Sequence, residues 1–137
     1  MSEMKDKPEE YWKEKLTPEQ YHLMRERGTE APFSGKYVLP QEDGEFLCVA
    51  CGSLLFHSDK QYESTIPGLI GWPSFADVAD SEAVELHDDN TLGMKRVEVT
   101  CKTCGSHLGH LFPDHTASTG QHYCINSLSL NFKPKKG

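Results

Sequence analysis

The sequence has no long apolar segment, and its only basic cluster is the short C-terminal run Lys133-Pro134-Lys135-Lys136. A membrane-spanning helix needs ~20 consecutive apolar residues, which no part of the chain provides. Residues 1–10 are polar and acidic and lack the apolar stretch of a secretory signal. The 21 acidic residues outnumber the 14 lysines and arginines, for a formal net charge of -7. Because phosphate binding needs clustered Lys and Arg, we expect a protein that binds neither a membrane nor a nucleic acid.

The composition that remains is that of one globular domain. The chain of 137 residues, with 36% hydrophobic and 26% charged residues, is long enough to bury one core. We expect a monomer with three regions. These are a helical N-terminal arm over residues 1–30, packed on the core, a β-rich domain over residues 31–133, and a basic C-terminal tail over residues 134–137.

Helix signals occur in the N-terminal arm. Thr17-Pro18-Glu19-Gln20 is a capping box with proline in the first turn, where its missing N–H costs nothing. Gly28 is the expected stop. The buried side of this helix would consist of Tyr21, Leu23 and Met24, and an earlier helix over residues 8–16 would bury Tyr11, Trp12 and Leu16.

From Gly35 onward, short runs rich in β-branched and aromatic residues alternate with Gly, Pro, Asp and Asn. Such runs, without interleaved helices, indicate antiparallel sheets. The sequence therefore predicts a mainly β fold with short N-terminal helices. The predicted strands cover residues 36–39, 45–48, 54–57, 83–87, 94–101, 109–112 and 122–132.

Four of the five cysteines form two CxxCG units, Cys48 with Cys51 and Cys101 with Cys104. Two such turns supply the four thiolates that zinc takes in a closed tetrahedral site at ~2.3 Å. We predict one structural Zn²⁺ per chain, with no open position for a substrate. Iron in the same ligands, redox-active disulfides and four free thiols are the alternatives. Since CxxC metal ligands are typical of a reducing compartment, we expect a cytoplasmic protein.

The fifth cysteine, Cys124, has no CxxC partner. If residues 122–132 form a strand, His122, Cys124 and Asn126 point to one side, because alternate residues share a face. A thiol between two hydrogen-bonding groups could be reactive. A buried, inert cysteine is the alternative.

Two further motifs bear on this choice. His107 and His110 follow the second CxxCG unit. Three roles are open to them: surface residues, a spare HxxH pair of metal ligands, or polar groups of a site. Trp72, between Gly71 and Pro73, is either a core residue or an aromatic wall for an apolar substrate group.

The two CxxC pairs, GWPSF, HLGHLFPD and HYCINSLSLNF together resemble the B-type methionine sulfoxide reductases over roughly residues 29–132. The resemblance implies an oxidoreductase that reduces the R epimer of methionine sulfoxide in proteins and so repairs oxidative damage. It also implies two antiparallel β-sheets with N-terminal helices and a zinc site opposite the active site.

The resemblance assigns roles residue by residue. Cys124 corresponds to the nucleophile and Trp72 to the residue that packs on the sulfoxide methyl group. His107, His110 and Asn126 correspond to the polar group around the sulfoxide oxygen. Many members have arginine two residues before the nucleophile, but this sequence has His122, which leaves open which cation, if any, lowers the thiol pKa and assists the oxygen.

The chemistry requires a thiolate and a proton donor for the oxygen. We expect His110 to be the acid, with His107 as the second candidate. Phe112 would be a second apolar wall. The attack would leave Cys124 as a sulfenic acid.

Many relatives resolve this acid with a second cysteine just before GWPSF, where this chain has Ile70. We therefore expect an external thiol reductant: thioredoxin, glutaredoxin with glutathione, or a small dithiol.

Two other classes compete with this reading. One is a zinc-ribbon binding module, which would not need Cys124 or the histidines. The other is a different thiol enzyme, such as a peroxidase or a disulfide exchanger, in which Trp72 would have no obvious part.

Overall fold

The N-terminal arm folds as two short helices. A computed structural model describes residues 7–39, 42–90, 93 and 95–135, and within them α1 spans Glu9–Lys15 and α2 spans Pro18–Arg25. The predicted capping box is confirmed: the Gln20 N–H donates to Thr17 Oγ1 (3.1 Å) and the Thr17 N–H donates to Gln20 Oε1 (3.0 Å). Neither described helix has the length or apolar character needed to cross a membrane.

Helix α2 ends three residues before the predicted stop, at Arg25. The left-handed residue is Arg27 (φ 58°), not Gly28. The Gly28 N–H donates to Leu23 O (3.0 Å), which closes the last turn as in a Schellman motif. Arg27 also forms ion pairs with Asp89 and Glu98, which would offset part of the cost of its left-handed backbone.

Nine described strands form two antiparallel sheets, which confirms the predicted fold class. The smaller sheet has the order β2-β1-β9, with β1 Gly44–Cys48, β2 Leu54–His57 and β9 Leu130–Pro134. The larger sheet has the order β3-β4-β8-β7-β6-β5. Its strands are β3 Gln61–Tyr62, β4 Ser74–Phe75, β5 Val84–Asp89, β6 Arg96–Cys101, β7 His107–Pro113 and β8 Gln121–Ile125.

Aromatic side chains from both sheets meet in the core. Phe46 and Phe56 from the smaller sheet contact Phe75 from the larger one, with ring centroids 5.0 Å and 4.2 Å apart. Tyr123 packs beside Phe56. Because Phe75 and Tyr123 point into the core, their strand neighbours Ser74 and Cys124 point to the opposite face of the larger sheet.

Three strand predictions need correction. Residues 36–39 form turns and bends, and Tyr37 uses its backbone groups to bind the side chains of Ser127 and Gln61. The predicted strand 122–132 is two strands in different sheets, separated by the 3-10 turn Ser127–Ser129. The predicted strand 94–101 begins at Arg96 in the described residues, and Met94 lies outside them.

Candidate active site and metal site

The two CxxCG units fold as matching turns. In the first, the Gly52 N–H donates to Cys48 O (2.7 Å), and in the second the Gly105 N–H donates to Cys101 O (2.7 Å). Both glycines have positive φ, 84° and 78°, which is the backbone freedom that the sequence pattern required. Each turn therefore directs two sulfurs to the same side.

These turns bring the four sulfurs of Cys48, Cys51, Cys101 and Cys104 within 4.8 Å of one another. The Sγ–Sγ distances are 3.8 Å from Cys48 to Cys104 and 3.6 Å from Cys51 to Cys101. A tetrahedron of sulfurs ~2.3 Å from a central ion has edges of about 3.8 Å, so the four side chains fit a metal ion. The first turn joins β1 to β2 and the second joins β6 to β7, so an ion here would link the two sheets.

Cys124 lies in the middle of the larger sheet. Its Cα is paired with that of His110 on β7 and with that of Ser74 on β4. Directly opposed residues have Cβ atoms about 4.5–5.5 Å apart and share a face. Cys124 is a partly exposed residue, and the residues opposite it on the two neighbouring strands carry an imidazole and a buried hydroxyl.

Burial, and then the nearby Glu30 carboxylate, raise the pKa of Cys124 to about 12. The sequence left open whether a cation lowers this pKa, and the two causes found here both raise it. A thiol with this pKa is almost fully protonated at neutral pH. Before a substrate binds, Cys124 is therefore a thiol and not a thiolate.

Each of the two candidate acid histidines is held by a carboxylate. His110 Nε2 is 2.7 Å from Asp89 Oδ2, and His107 Nδ1 is 2.8 Å from Glu98 Oε2. A carboxylate only accepts hydrogen bonds, so these two nitrogens carry the ring hydrogens. Burial lowers the pKa of His110, against the opposing effect of Asp89. Arg27 ties the two pairs together through its bonds to both carboxylates.

His122, two residues before Cys124, is fully buried. Its Nδ1 is 3.1 Å from Asp114 Oδ2, and its Nε2 is 2.8 Å from Ser74 Oγ. Tyr62 donates to the same oxygen of Asp114 (2.7 Å). Burial lowers the pKa of His122 although Asp114 opposes that effect, so the ring is mainly neutral at pH 7. Its link to the Cys124 face is the hydroxyl of Ser74, which is also buried.

Trp72 and Asn126 are joined through the N-terminal arm. The Trp72 indole N–H donates to the Glu30 carbonyl (3.1 Å), and the Glu30 N–H donates to Asn126 Oδ1 (3.1 Å). The Ile125 N–H donates to Pro73 O (3.0 Å), which extends the pairing of β4 with β8 to the level of these side chains. The arm thus contributes directly to this end of the face.

The histidines and one aromatic residue form a continuous series on the same face. Ring centroids are 5.4 Å apart for His107 and His110, 6.3 Å for His110 and Phe112, and 6.5 Å for Phe112 and His122. The structure therefore brings together the residues that the motifs singled out.

Several polar partners of these residues were not predicted. They are Glu30, Tyr62, Ser74, Asp89, Glu98 and Asp114. Asp114 and Ser74 stand inside the quoted motifs, which was the one signal available. The other four come from segments with no local pattern that points to a site.

Comparison with known proteins decides the family. A SelR domain model matches residues 16–134, most of the chain. The chain belongs to this family. Among its relatives, the peptide methionine sulfoxide reductase MsrB of Methanosarcina mazei is 56% identical over 127 residues, which cover 93% of this chain and 88% of that protein. Methionine-R-sulfoxide reductase B2, mitochondrial, of Rattus norvegicus is 49% identical over 132 residues, covering 91% of this chain and 74% of that protein.

The resemblance of the SelR-domain chain to B-type methionine sulfoxide reductases, first seen in its motifs, is thereby confirmed. A crystal structure of the Mis18 'Yippee-like' domain also matches, with a TM-score of 0.54 and 16% identity over 70% of this chain and 100% of that one. At this identity the match shows a shared fold alone.

Proposed function

We propose that this protein reduces methionine-R-sulfoxide in oxidised proteins, with Cys124 as the nucleophile and an external thiol as the final reductant. The observation that carries the proposal is the partly exposed Cys124 thiol, opposed by His110 and Ser74 on one face of the sheet. Membership of a family whose curated relatives are named methionine sulfoxide reductases supports the substrate and its epimer.

In the proposed reaction the Cys124 sulfur attacks the sulfoxide sulfur, whose bond to oxygen breaks. The oxygen ends on Cys124, methionine leaves, and the thiol hydrogen becomes the hydroxyl hydrogen of the sulfenic acid. Cys124 is oxidised by two electrons and methionine sulfoxide is reduced by two. The Cys124 thiol is protonated before the substrate binds. The group that removes its proton must therefore lie close to the sulfoxide oxygen, which receives that proton.

His110 is the proposed carrier of that proton. It is directly opposite Cys124 across β7 and β8, and Asp89 fixes its ring. A lowered pKa leaves His110 neutral at pH 7, so it can take the thiol hydrogen at one moment and give it to the sulfoxide oxygen at the next. His107, almost fully buried and held by Glu98, is the second candidate.

The remaining residues have binding roles in the proposal. Trp72 and Phe112, both half-buried, supply apolar walls for the methyl group. Asn126 supports the oxygen side. His122 and Ser74 have no exposed surface, so the proposed effect of His122 is indirect, through its hydrogen bond to Ser74, the residue opposite Cys124.

The sulfenic acid is reduced from outside the chain. The place of the second cysteine in many relatives holds Ile70, which is 40% exposed, and the other four cysteines are gathered in the metal cluster. Two thiols of a reductant, such as thioredoxin or a small dithiol, would yield Cys124, a disulfide and water.

Zinc is the proposed occupant of the four-cysteine cluster. Four sulfur ligands in tetrahedral spacing are typical of structural zinc, which would hold the two sheets together and take no part in the reaction. Thiols that serve as metal ligands also support the proposed location in the reducing cytoplasm.

The test is reduction of a peptide containing methionine-R-sulfoxide, with dithiothreitol as reductant. Wild type should form methionine. Cys124→Ser should form none, while it keeps one zinc per chain and the wild-type Tm, since Cys124 is outside the metal cluster. A Cys124→Ser protein that still reduces the peptide would remove Cys124 from the reaction.

A further inference from the structure

The five residues Thr29–Phe33, here called the strap, lie between two parts of the candidate site. On one side the Phe33 N–H donates to Gly71 O (2.7 Å), and the Glu30 carbonyl accepts the Trp72 indole N–H (3.1 Å). On the other side the Glu30 N–H and the Thr29 hydroxyl both donate to Asn126 Oδ1, at 3.1 Å and 3.2 Å. The strap therefore connects the loop that carries Trp72 to the chain that follows β8.

The Glu30 side chain fastens the strap to that chain. It is only 7% exposed, and its two carboxylate oxygens accept the backbone N–H groups of Ser127 (2.8 Å) and Leu128 (3.0 Å). These N–H groups open the turn Ser127–Ser129, in which Ser127 is buried and Leu128 partly buried, so the carboxylate supplies acceptors to donors with little access to water. One residue thus binds Trp72, Asn126 and this turn at the same time, through its carbonyl, its N–H and its carboxylate.

Two glycines allow the close approach on either side of the strap. A Cβ at Gly35 would overlap the Ser127 side chain, and a Cβ at Gly71 would come 2.6 Å from Pro32 Cβ. Gly71 also has a φ of +110°, which other residues rarely adopt. Because the strap is in close contact on both sides, a displacement of Glu30 would also displace the loop that carries Trp72.

We infer that Glu30 is a positioning residue for sulfoxide reduction, which sets the separation between the Trp72 wall and the strand that carries Cys124. The inference rests on the proposed function, in which Trp72 holds the substrate methyl group. Glu30 itself touches no reacting atom. Cys124 is held independently by its pairing with β4 and β7, so loss of Glu30 should weaken substrate binding more than the chemical step.

The test is Glu30→Gln, which keeps the size of the side chain but leaves only one acceptor for two N–H donors. We expect KM for a methionine-R-sulfoxide peptide to rise about tenfold. The kcat should not fall, because neutralising Glu30 also removes one of the two causes that raise the pKa of Cys124. The matched control is Glu82→Gln, at an exposed residue that pairs with Lys102 on the surface, which should leave both constants unchanged.

A second readout follows Trp72 directly. Subtracting the fluorescence of Trp72→Phe, in which Trp12 remains, isolates the Trp72 emission. In Glu30→Gln this emission should shift to longer wavelength as the indole loses its anchored position, and a merely structural role would not predict that shift at unchanged Tm. If Glu30→Gln does not fold, Glu30→Asp retains both acceptors on a shorter stem and should give the same changes at roughly a third of the size.

Unchanged KM and unchanged Trp72 emission in the folded variant would overturn the inference, as would a loss confined to kcat. Failure of the proposed function gives a different result. Wild type itself would then reduce no sulfoxide, and the Trp72 emission would still report whether Glu30 positions the loop.

Discussion

At the residue scale, the unusual feature of the site is a neutral histidine two residues before Cys124, at the position where the sequence left the presence of a cation open. His122 is buried with Asp114 and Ser74 on its two nitrogens, and burial lowers its pKa. The causes that set the pKa of Cys124, burial and the Glu30 carboxylate, both act to raise it. Activation of the thiol therefore depends on what the bound sulfoxide and His110 supply.

Replacement of this histidine tests that argument. His122→Arg would introduce a fixed positive charge about 7 Å from Cys124, two residues along the same strand face. At an effective dielectric constant of about 20, this should accelerate alkylation of Cys124 at pH 8 roughly tenfold to a hundredfold, because the pKa of the thiol falls. The measurement is the iodoacetamide rate against pH, with the labelled residue identified by peptide mapping.

The neutral variant His122→Gln is the control, and its alkylation profile should stay with that of wild type. Equal profiles for the arginine and glutamine variants would show that position 122 does not reach the thiol electrostatically. A plateau in the wild-type rate below pH 8 would contradict the raised pKa itself.

At the element scale, the pairing of β7 with β8 sets the geometry of the nucleophile. Gly109 is opposite Ile125 in this ladder, and a Cβ at Gly109 would overlap the backbone carbonyl of Cys124. The absence of a side chain here lets the two strands pair while His110 and Cys124 face each other. Gly109 is thus required by a close backbone approach, not by its dihedral freedom.

Gly109→Ala should destabilise the protein by about 1–3 kcal/mol and also lower kcat/KM, because the Cys124 backbone must shift to admit a methyl group. Gly120→Ala, in the connection between the same two strands, is the control. It has a φ of +81° with nothing within 4 Å of its Cβ, so it should cost about 1–2 kcal/mol without affecting kcat/KM. Urea unfolding and steady-state kinetics on both variants separate the two effects. Wild-type kinetics in a folded Gly109→Ala would show that the ladder does not position the thiol.

The sequence predicted helix starts and turns correctly where the pattern lies within a few adjacent residues. The capping box at Thr17 and the glycine after each CxxC unit depend on a few adjacent residues, and both are confirmed. The two-residue strands β3 and β4 were missed because two residues carry no alternation. The break after Ile125 was missed because it depends on Glu30, which is distant in sequence and accepts the N–H groups of the turn.

The residues of the candidate site also divide into those that a local motif indicates and those that it does not. Cys124, Trp72 and the histidines stand in recognisable motifs, although their roles remain predictions. The carboxylates that orient the histidines, Asp89 and Glu98, come from β5 and β6 and reach the site through strand pairing alone. Without the register of the sheet, no spacing in the sequence connects them to His107 and His110.

At the scale of the whole molecule, the four-cysteine cluster joins the two sheets. Cys48 and Cys51 follow β1 of the smaller sheet, and Cys101 and Cys104 follow β6 of the larger one. An ion at this junction would oppose separation of the sheets at the end of the shared aromatic core.

Removal of the metal should therefore affect the entire fold. Denaturing release with a thiol-reactive dye and a zinc indicator should give about one zinc per chain, and a strong chelator should lower Tm by more than about 10 °C. Cys124→Ser should have the same zinc content and the same response as wild type, whereas Cys51→Ser should lose zinc. Freshly purified protein without zinc or iron, or a chelated protein with an unchanged Tm, would contradict the role of the cluster.

The central claim is that Cys124 alone takes the oxygen from the substrate, and a single turnover without reductant tests it most directly. Equimolar methionine-R-sulfoxide peptide is mixed with reduced protein, the sulfenic acid is trapped with dimedone, and the products are mapped by mass spectrometry. We expect one methionine to form per trapped Cys124, with no disulfide that contains this residue. An intramolecular disulfide at Cys124, or methionine formed while Cys124 remains a free thiol, would contradict it.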